Sequence, residues 1–134
     1  MAEMQVDVVG VEKKIWSGTA GFVSARTVEG SIGILPGHEP LIAQLREAGV
    51  VRVDPTDGEP FHVAAFGGFL SVTAESVTVL AELAELASEI DVAQAKDDLR
   101  EAEHYIGDSD DQEWRVARDR ARARLQAAGE SVEQ

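Results

Sequence analysis

The sequence predicts a mainly β protein with an α-helical appendage: an N-terminal antiparallel β-sandwich followed by a C-terminal antiparallel two-helix hairpin. Over the first 86 or so residues, short apolar and β-branched segments alternate with turns rich in Gly, Pro and Asp. From Ile90 onwards there is no proline, and apolar residues recur every three or four positions. The change falls near residues 86–89, so we expect residues 1–88 to form the sandwich and residues 89–134 the hairpin.

Six segments of the first part have the character of strands. Pro55-Thr56-Asp57-Gly58 favours a tight turn, so the segments on either side of it are predicted to form a β-hairpin. The glycine-rich residues 30–38 are interpreted as a hairpin that leads into a tight bend at Pro36-Gly37. The six predicted strands are residues 4–11, 16–27, 50–54, 60–66, 69–73 and 77–83.

Two helices are predicted in the second part. Asp91 is placed to cap the first helix, Gly107 to end it, and Ser109 or Asp110 to cap the second. A short polar loop joins them, so they are expected to pack antiparallel. The apolar stripes are Val92, Ala95, Leu99, Ala102 and Ile106 in the first helix, and Trp114, Ala117, Ala121, Leu125 and Ala128 in the second. Alanine buries little surface, at about 25 cal/mol per Å², so the hairpin should detach from the sandwich at limited cost.

The composition excludes several classes of function. A net charge of −13 argues against binding to nucleic acid and to anionic lipid. No apolar run approaches the roughly 20 residues that cross a bilayer, and the first residues lack the pattern of a signal peptide. The absence of cysteine fits a reducing cytoplasmic setting. Five arginines lie within residues 115–124 and suggest one basic helix face, either for a partner or ligand or merely solvated.

No catalytic constellation is evident. His38, His62 and His104 do not have the spacing of metal ligands, and there is no G-x-S-x-G motif. The glycines of residues 30–38 are not followed by the Lys-Ser or Lys-Thr of a phosphate-binding loop. An aromatic content of 5% disfavours a sugar-binding sandwich. We therefore expect no enzyme activity in this chain alone, no metal and no cofactor.

The glycine-rich stretch also carries a family resemblance. Residues 30–41, Gly-Ser-Ile-Gly-Ile-Leu-Pro-Gly-His-Glu-Pro-Leu, resemble the G-x-x-G-I-L-P-x-H-x-P-L signature of the epsilon subunits of bacterial F-type ATP synthases. Residues 67–72 and 77–82 resemble the next two blocks of that family, and Ile90-Asp91 opens the hairpin where the family places it. The likeness spans essentially the whole chain. It implies a non-catalytic subunit of the rotating central stalk, which couples rotation of the ring to ATP synthesis in the catalytic head.

The resemblance also implies partners. In the family the sandwich binds the gamma subunit and the polar loops of the membrane c-ring, peripherally on the cytoplasmic side of the cell membrane and without inserting into it. The matching residues here are Ser31, Ile32, Gly33, Pro36, Gly37 and His38. Many members have glutamate where this chain has Ser31. We expect Gly33 and Gly37 to hold backbone conformations or close approaches that a Cβ would obstruct.

The family's hairpin can fold on the sandwich or extend along gamma into the catalytic head, where it blocks ATP hydrolysis. Residues 91–128 as a continuous helix would reach about 57 Å. Arg115, Arg118 and Arg122 would then be an inhibitory basic face that meets acidic loops of the beta subunits, with the alpha subunits nearby. The competing interpretation is a solvated face that pairs with Asp119 and nearby carboxylates.

Some members also bind ATP with the folded hairpin, through a motif I/L-D-x-x-R-A and arginines of the second helix. This chain has Gln94 where the motif has arginine. An amide cannot replace the bidentate phosphate contact of a guanidinium, so ATP binding is expected to be weakened or absent. The residues that match the nucleotide site are Glu85, Asp91, Gln94, Ala95, Arg120 and Arg124. A stand-alone nucleotide-sensing module is therefore the alternative function, and Gln94 speaks against it.

Overall fold

The computed structural model of the protein describes residues 2–106 and 112–130. Within them a sandwich of nine strands precedes two helices, which confirms the predicted fold class. The elements are β1 (Met4–Gly10), β2 (Lys14–Thr27), β3 (Gly30–Ile34), β4 (Leu41–Gln44), β5 (Gly49–Pro55), β6 (Phe61–Phe66), β7 (Phe69–Val72), β8 (Ser76–Ala81), β9 (Leu83–Leu86), a 3₁₀ turn (Ala87–Glu89), α1 (Val92–Ile106) and α2 (Gln112–Ala127).

The strands form one hydrogen-bonded path that folds into two layers. The first layer has the order β4, β7, β8, β1 and the N-terminal half of β2, whereas β5, β6 and β9 follow the C-terminal half of β2 in the second. β3 pairs with that C-terminal half on its other side. β2 serves both layers because it is 14 residues long and its register shifts between Ala20 and Phe22.

One pair of strands corrects the prediction of a wholly antiparallel sandwich. β1 and β8 are parallel neighbours, with Val6 opposite Val77 and Val8 opposite Val79. The chain re-enters the first layer at β7, and the β7–β8 hairpin then brings β8 alongside β1 in the same direction. A parallel pair needs such a long connection, which the local sequence does not reveal.

Valine side chains from both layers fill the space between them. Val6 and Val8 of β1 are fully buried, and the residues between them are more exposed. Val51, Val53 and Val63 of the second layer are buried to the same degree and belong to the same cluster. The alternation of buried and exposed residues along these strands is the pattern that predicted them.

Three strands differ from the sequence prediction. The segment 77–83 divides into β8 and β9, because β8 pairs with β1 and β7 whereas β9 pairs with β6 in the other layer, and Glu82 lies at the crossing. β4 was not predicted, since it has only four residues and directly follows Pro40. β3 occupies the start of the glycine-rich stretch and pairs with β2, ahead of the bend at Pro36-Gly37.

Both helices have recognisable end signals. The predicted N-cap of α1 is confirmed, because Asp91 Oδ1 accepts a hydrogen bond of 3.0 Å from the backbone N–H of Gln94. α2 ends in a glycine-terminated turn: Gly129 has a φ of 86°, and the Glu130 N–H donates to the carbonyl of Leu125 over 2.9 Å. The predicted signals at Gly107, Ser109 and Asp110 lie outside the described residues.

The two helices pack against each other along their length. Lys96 Nζ lies 3.0 Å from Glu130 Oε1 and joins the start of α1 to the end of α2. At the other end of the hairpin, the rings of Tyr105 and Trp114 stack with their centroids 4.7 Å apart. Within the described residues, neither helix is both long and apolar enough to span a membrane.

The hairpin packs on the second layer chiefly through α2, which contacts β5 and β6. Ala123 and Ala127 form a small buried cluster with Ala64 and Phe66 of β6. The cluster is bordered by the partly buried Ala48, Val50 and Ile90. The predicted stripe of α2 is confirmed, since Ala121 and Leu125 are buried, but the sequence analysis missed this second buried side.

Gly68 permits the crossing from β6 to β7. Its φ is +101°, and a Cβ there would lie 1.9 Å from the carbonyl oxygen of Leu80. We expect Gly68→Ala to destabilise the protein by about 3 kcal/mol or more, through backbone strain and this clash. Gly21→Ala is the matched control, because a Cβ at Gly21 meets nothing within 4 Å. Urea unfolding followed by circular dichroism tests this, and equal midpoints for the two variants would contradict it.

Candidate functional site

Residues 31–38 comprise most of β3 and the start of the connection to β4. This surface segment is called the loop below. Ser31 and Gly33 are exposed on β3, and Ile32 between them is half-buried. The N–H of Gly37 donates to the carbonyl of Ala74 over 3.0 Å, which anchors the bend to the β7–β8 turn. His38 Nδ1 lies 2.7 Å from the carbonyl oxygen of Glu39. The predicted contact residues from Ser31 to His38, Pro36 among them, therefore lie along one edge of the sandwich.

The expectation for the two glycines of this loop is confirmed at the level of the backbone. Gly37 has a φ of +85°, a conformation that other residues rarely adopt. Gly33 has an ordinary φ, but a Cβ there would lie 3.1 Å from the ring of Phe22. Gly37 is favoured by its backbone conformation, whereas a Cβ at Gly33 would require the Phe22 ring to shift by a few tenths of an ångström.

An exposed apolar face adjoins this loop and was not predicted. It consists of Ile42, Phe69 and Leu80, which are 77%, 54% and 47% exposed. Phe69 is the cross-strand partner of Leu80. Ile42 is paired with Ser71, which lies two residues after Phe69 on the same face of β7. The three side chains thus share the outer surface of the first layer. A groove of about 310 Å³, lined by Ser31, Ile32 and Ile42 among others, connects this face with the loop.

A second site lies where the hairpin meets the sandwich. A groove of about 520 Å³ brings together five of the six residues predicted for nucleotide binding, which are Glu85, Asp91, Gln94, Ala95 and Arg124. The side-chain amide of Gln94 donates to Asp98 Oδ1 over 2.8 Å, and Arg124 Nε donates to Glu85 Oε1 over 2.8 Å. These polar groups are paired with each other within the protein.

Arg120 does not line this groove. Its guanidinium lies over the ring of Phe66, 5.3 Å from the centroid, and its Nε donates to Glu47 Oε1 over 2.9 Å. Sequence analysis did not single out Phe66 or Glu47. The signal for Phe66 was the continuous apolar run Val63–Phe66 at the end of β6, which is typical of a strand covered on both faces.

The five arginines of α2 do not form one basic face, which corrects the interpretation from composition. At 3.6 residues per turn, Arg115, Arg118 and Arg122 fall within about 60° of one another, and Arg120 and Arg124 lie on another side of the helix. Arg118 Nε lies 3.1 Å from Asp119 Oδ1, and an Arg122 nitrogen lies 3.6 Å from Glu103 of α1. The three predicted inhibitory residues are therefore directed away from the sandwich.

Comparisons with known proteins agree with the resemblance in the sequence. Residues 3–87 match the family described as ATP synthase, Delta/Epsilon chain, beta-sandwich domain. The ATP synthase epsilon chain of Nocardia farcinica is 51% identical over 126 residues, which are 94% of this chain and 93% of that one. The ATP synthase epsilon chain of Rhodococcus jostii is 58% identical over 102 residues, which are 76% of this chain and 84% of that one. The chain belongs to the ATP synthase epsilon chain family.

The same fold occurs in a solved structure. A chain of the Euglena gracilis mitochondrial ATP synthase, in its OSCP/F1/c-ring assembly, superposes with a TM-score of 0.72 at 24% identity. The superposition covers 96% of this chain and 79% of that chain, so it extends beyond the sandwich to the hairpin. As a member of the epsilon chain family, the protein is a subunit of an ATP synthase and not an enzyme by itself.

The charge of the hairpin groove bears on the predicted nucleotide site. Four carboxylates line the groove, those of Glu85, Glu89, Asp91 and Asp98. Among the described residues, the cations that line it are Lys13 and Arg124, and Arg124 is already paired with Glu85. An excess of negative charge repels a triphosphate and disfavours its binding.

We expect Gln94→Arg to raise the affinity for ATP by about tenfold, because it adds a charge-assisted contact to phosphate. Since Gln94 now donates to Asp98, the double variant with Asp98→Asn should bind more tightly still. Gln126→Arg adds the same charge at an exposed position of α2 and is the matched control. Isothermal titration measures the affinities. Equal affinities for the wild type and Gln94→Arg would contradict the expectation.

Proposed function

We propose that this chain is a rotor subunit in the central stalk of a proton-translocating F-type ATP synthase. Residues 1–88 bind the gamma subunit and the polar loops of the c-ring, and residues 89–134 restrain ATP hydrolysis. The complex holds the chain peripherally at the cytoplasmic side of the cell membrane. Membership in the epsilon chain family supports the rotor role, and the exposed apolar face is the observation that carries the assignment of the partner surface.

The apolar face of Ile42, Phe69 and Leu80 has the properties of a protein interface. Single exposed apolar residues are ordinary, but a cluster on one flat sheet surface marks an interaction site. Polar residues alternate with the apolar ones on the same surface, with Gln44 paired with Phe69 and Ser71 paired with Ile42. Such a mixture of apolar and polar side chains is typical of a subunit contact. We assign gamma to this face, which continues through the groove at Ile42 into the loop from Ser31 to His38.

The loop from Ser31 to His38 is assigned to the c-ring and to the adjoining part of gamma. Ser31, Gly33 and Gly37 are exposed and small, which suits close contact with polar loops, and Leu35, which is 60% exposed, adds one apolar contact. Ser31 can donate and accept a hydrogen bond but carries no charge, so this contact does not depend on an ion pair. Gly37 keeps the backbone in the bend that presents these residues, and Gly33 leaves room for the ring of Phe22.

The restraint of hydrolysis is assigned to Arg115, Arg118 and Arg122. They lie on the side of α2 that is turned away from the sandwich, and Arg118 and Arg122 have acidic neighbours in the hairpin itself. Acidic loops of the beta subunits, with the alpha subunits beside them, would compete for these cations when the hairpin extends. A stand-alone nucleotide-sensing module is disfavoured by the carboxylates that line the hairpin groove.

We expect Phe69→Ser to reduce binding to gamma about tenfold or more, since it removes a large apolar contact from the centre of the interface. Val28→Ser is the matched control, because Val28 is 57% exposed and lies outside the apolar face. Co-purification with tagged gamma, followed by titration of the purified pair, measures the effect. Equal loss of binding in both variants, or none in either, would show that gamma docks elsewhere.

The double variant Arg118→Gln and Arg122→Gln should raise ATP hydrolysis by the reconstituted complex about fivefold, the equivalent of roughly 1 kcal/mol of lost attraction. Both residues lie away from the sandwich, so the folded hairpin should keep its position. Arg100→Gln removes a charge from the exposed side of α1 and is the control. Identical hydrolysis rates with the wild type and the double variant would remove the regulatory role and leave the coupling role.

A further inference from the structure

The ring of Phe66 lies beneath two guanidinium groups of α2. Phe66 lies at the end of β6, on the outer face of the second layer, and is fully buried there. The Cζ atoms of Arg120 and Arg124 lie 5.3 Å and 4.8 Å from the ring centroid. A cation within about 6 Å of a ring centroid is attracted by the negative charge of the ring face. One aromatic side chain of the sandwich thus holds two cations of the hairpin.

Each of these two cations is also bound to a carboxylate of the sandwich. Arg120 Nε donates to Glu47, in the connection between β4 and β5, over 2.9 Å. Arg124 Nε donates to Glu85, in β9, over 2.8 Å. The carboxylates come from separate parts of the sandwich, and every member of the cluster is supplied by this chain. The five residues Glu47, Phe66, Glu85, Arg120 and Arg124 are called the latch below.

The apolar contacts beside the latch are small. On the hairpin side they come from Ala123 and Ala127, each with a single methyl group, packed on Ala64 and Phe66. The methyl groups themselves contribute little to docking, so the apolar part of the attraction comes mainly from covering the Phe66 ring. The remaining attraction between hairpin and sandwich depends on charge, and the Arg120 and Glu47 side chains are partly exposed to salt in the solvent.

We propose that the latch holds the hairpin on the sandwich without any ligand, and that ionic strength controls its release. Glu47 and Glu85 form ion pairs with the two guanidinium groups, so no phosphate is needed to neutralise the arginines. Salt weakens both ion pairs together, and the hairpin then separates from β5 and β6 while the sandwich stays folded. This inference adds a control mechanism to the proposed regulation. It depends on the hairpin being able to leave the sandwich, but it does not require that the hairpin inhibits hydrolysis.

The experiment uses the full chain, which has no cysteine of its own. Cysteines are introduced at Thr56 of the sandwich and Gln126 of α2, both exposed, and carry spin labels for distance measurement by electron paramagnetic resonance. Distances are recorded in about 0.01 M and about 1 M salt, between which the Debye length falls from roughly 30 Å to roughly 3 Å. The near-ultraviolet signal of Trp16, which packs on Phe61 in the sandwich, reports whether the sandwich remains folded. It is recorded in a Trp114→Phe background, because Trp114 stacks on Tyr105 in the hairpin and absorbs in the same range.

We expect one short distance at low salt and a second, longer distance at high salt. Arg124→Gln and Arg120→Gln should each raise the open fraction at low salt about tenfold. Arg100→Gln, whose partner Asp97 is in the same helix, is the matched control and should behave as the wild type. Exchange of the charges in Glu47→Arg with Arg120→Glu should restore part of the closed population that either single variant loses, because the ion pair returns although residue 120 no longer places a cation over Phe66. A purely structural role of either residue would not produce this rescue.

The proposal is contradicted if the wild-type distances are the same at both salt concentrations. It is also contradicted if Arg120→Gln and Arg124→Gln have the same open fraction as Arg100→Gln. If an arginine variant loses the signal of Trp16, Glu47→Gln replaces it, because Glu47 is exposed and the substitution keeps its size. Closure that requires added ATP would also overturn the proposal. Because the measurement needs no ATP synthase, it can fail or succeed separately from the proposed restraint of hydrolysis.

Discussion

The burial of β6 on both faces is the constraint on which the arrangement of this chain depends. Val63 and Ala65 point into the core between the two layers, whereas Ala64 and Phe66 lie beneath α2. A strand segment with four consecutive apolar residues, such as 63–66, needs a cover on each side, since exposed apolar surface is unfavourable in water. The sandwich provides one cover and the hairpin the other. The hairpin is thereby part of the folded structure and not only an appendage.

The two layers separate the two proposed roles in space. The apolar face of Ile42, Phe69 and Leu80 lies on the outer surface of the first layer, and the hairpin packs on β5 and β6 of the second. A partner can therefore dock on the first layer whether the hairpin is folded or released. This geometry suits a subunit that must stay attached to a rotor while its C-terminal helices change position.

The strength of hairpin attachment follows from what α2 offers. Alanines give close packing with little buried area, and partly exposed ion pairs contribute on the order of 0.2–1 kcal/mol each. The attachment is thus modest, in agreement with the expectation from the alanine-rich sequence. In this chain Arg124 is bound by Glu85, and Gln94 and Asp98 bond to each other. The groove is thus occupied by the protein's own polar contacts.

The sequence by itself determined the fold class, the helix cap at Asp91 and the family, because alternation, capping and the signature of residues 30–41 are local patterns. Helical periodicity could also have separated Arg120 and Arg124 from the other arginines. Only the tertiary structure decided where β8 ends and β9 begins, because the chain passes from the first layer to the second at Glu82, within one largely apolar segment. It also decided the contacts of Phe66 with α2 and of Glu47 with Arg120, 73 residues apart. Those contacts depend on packing between distant segments, and no local pattern encodes such a distance.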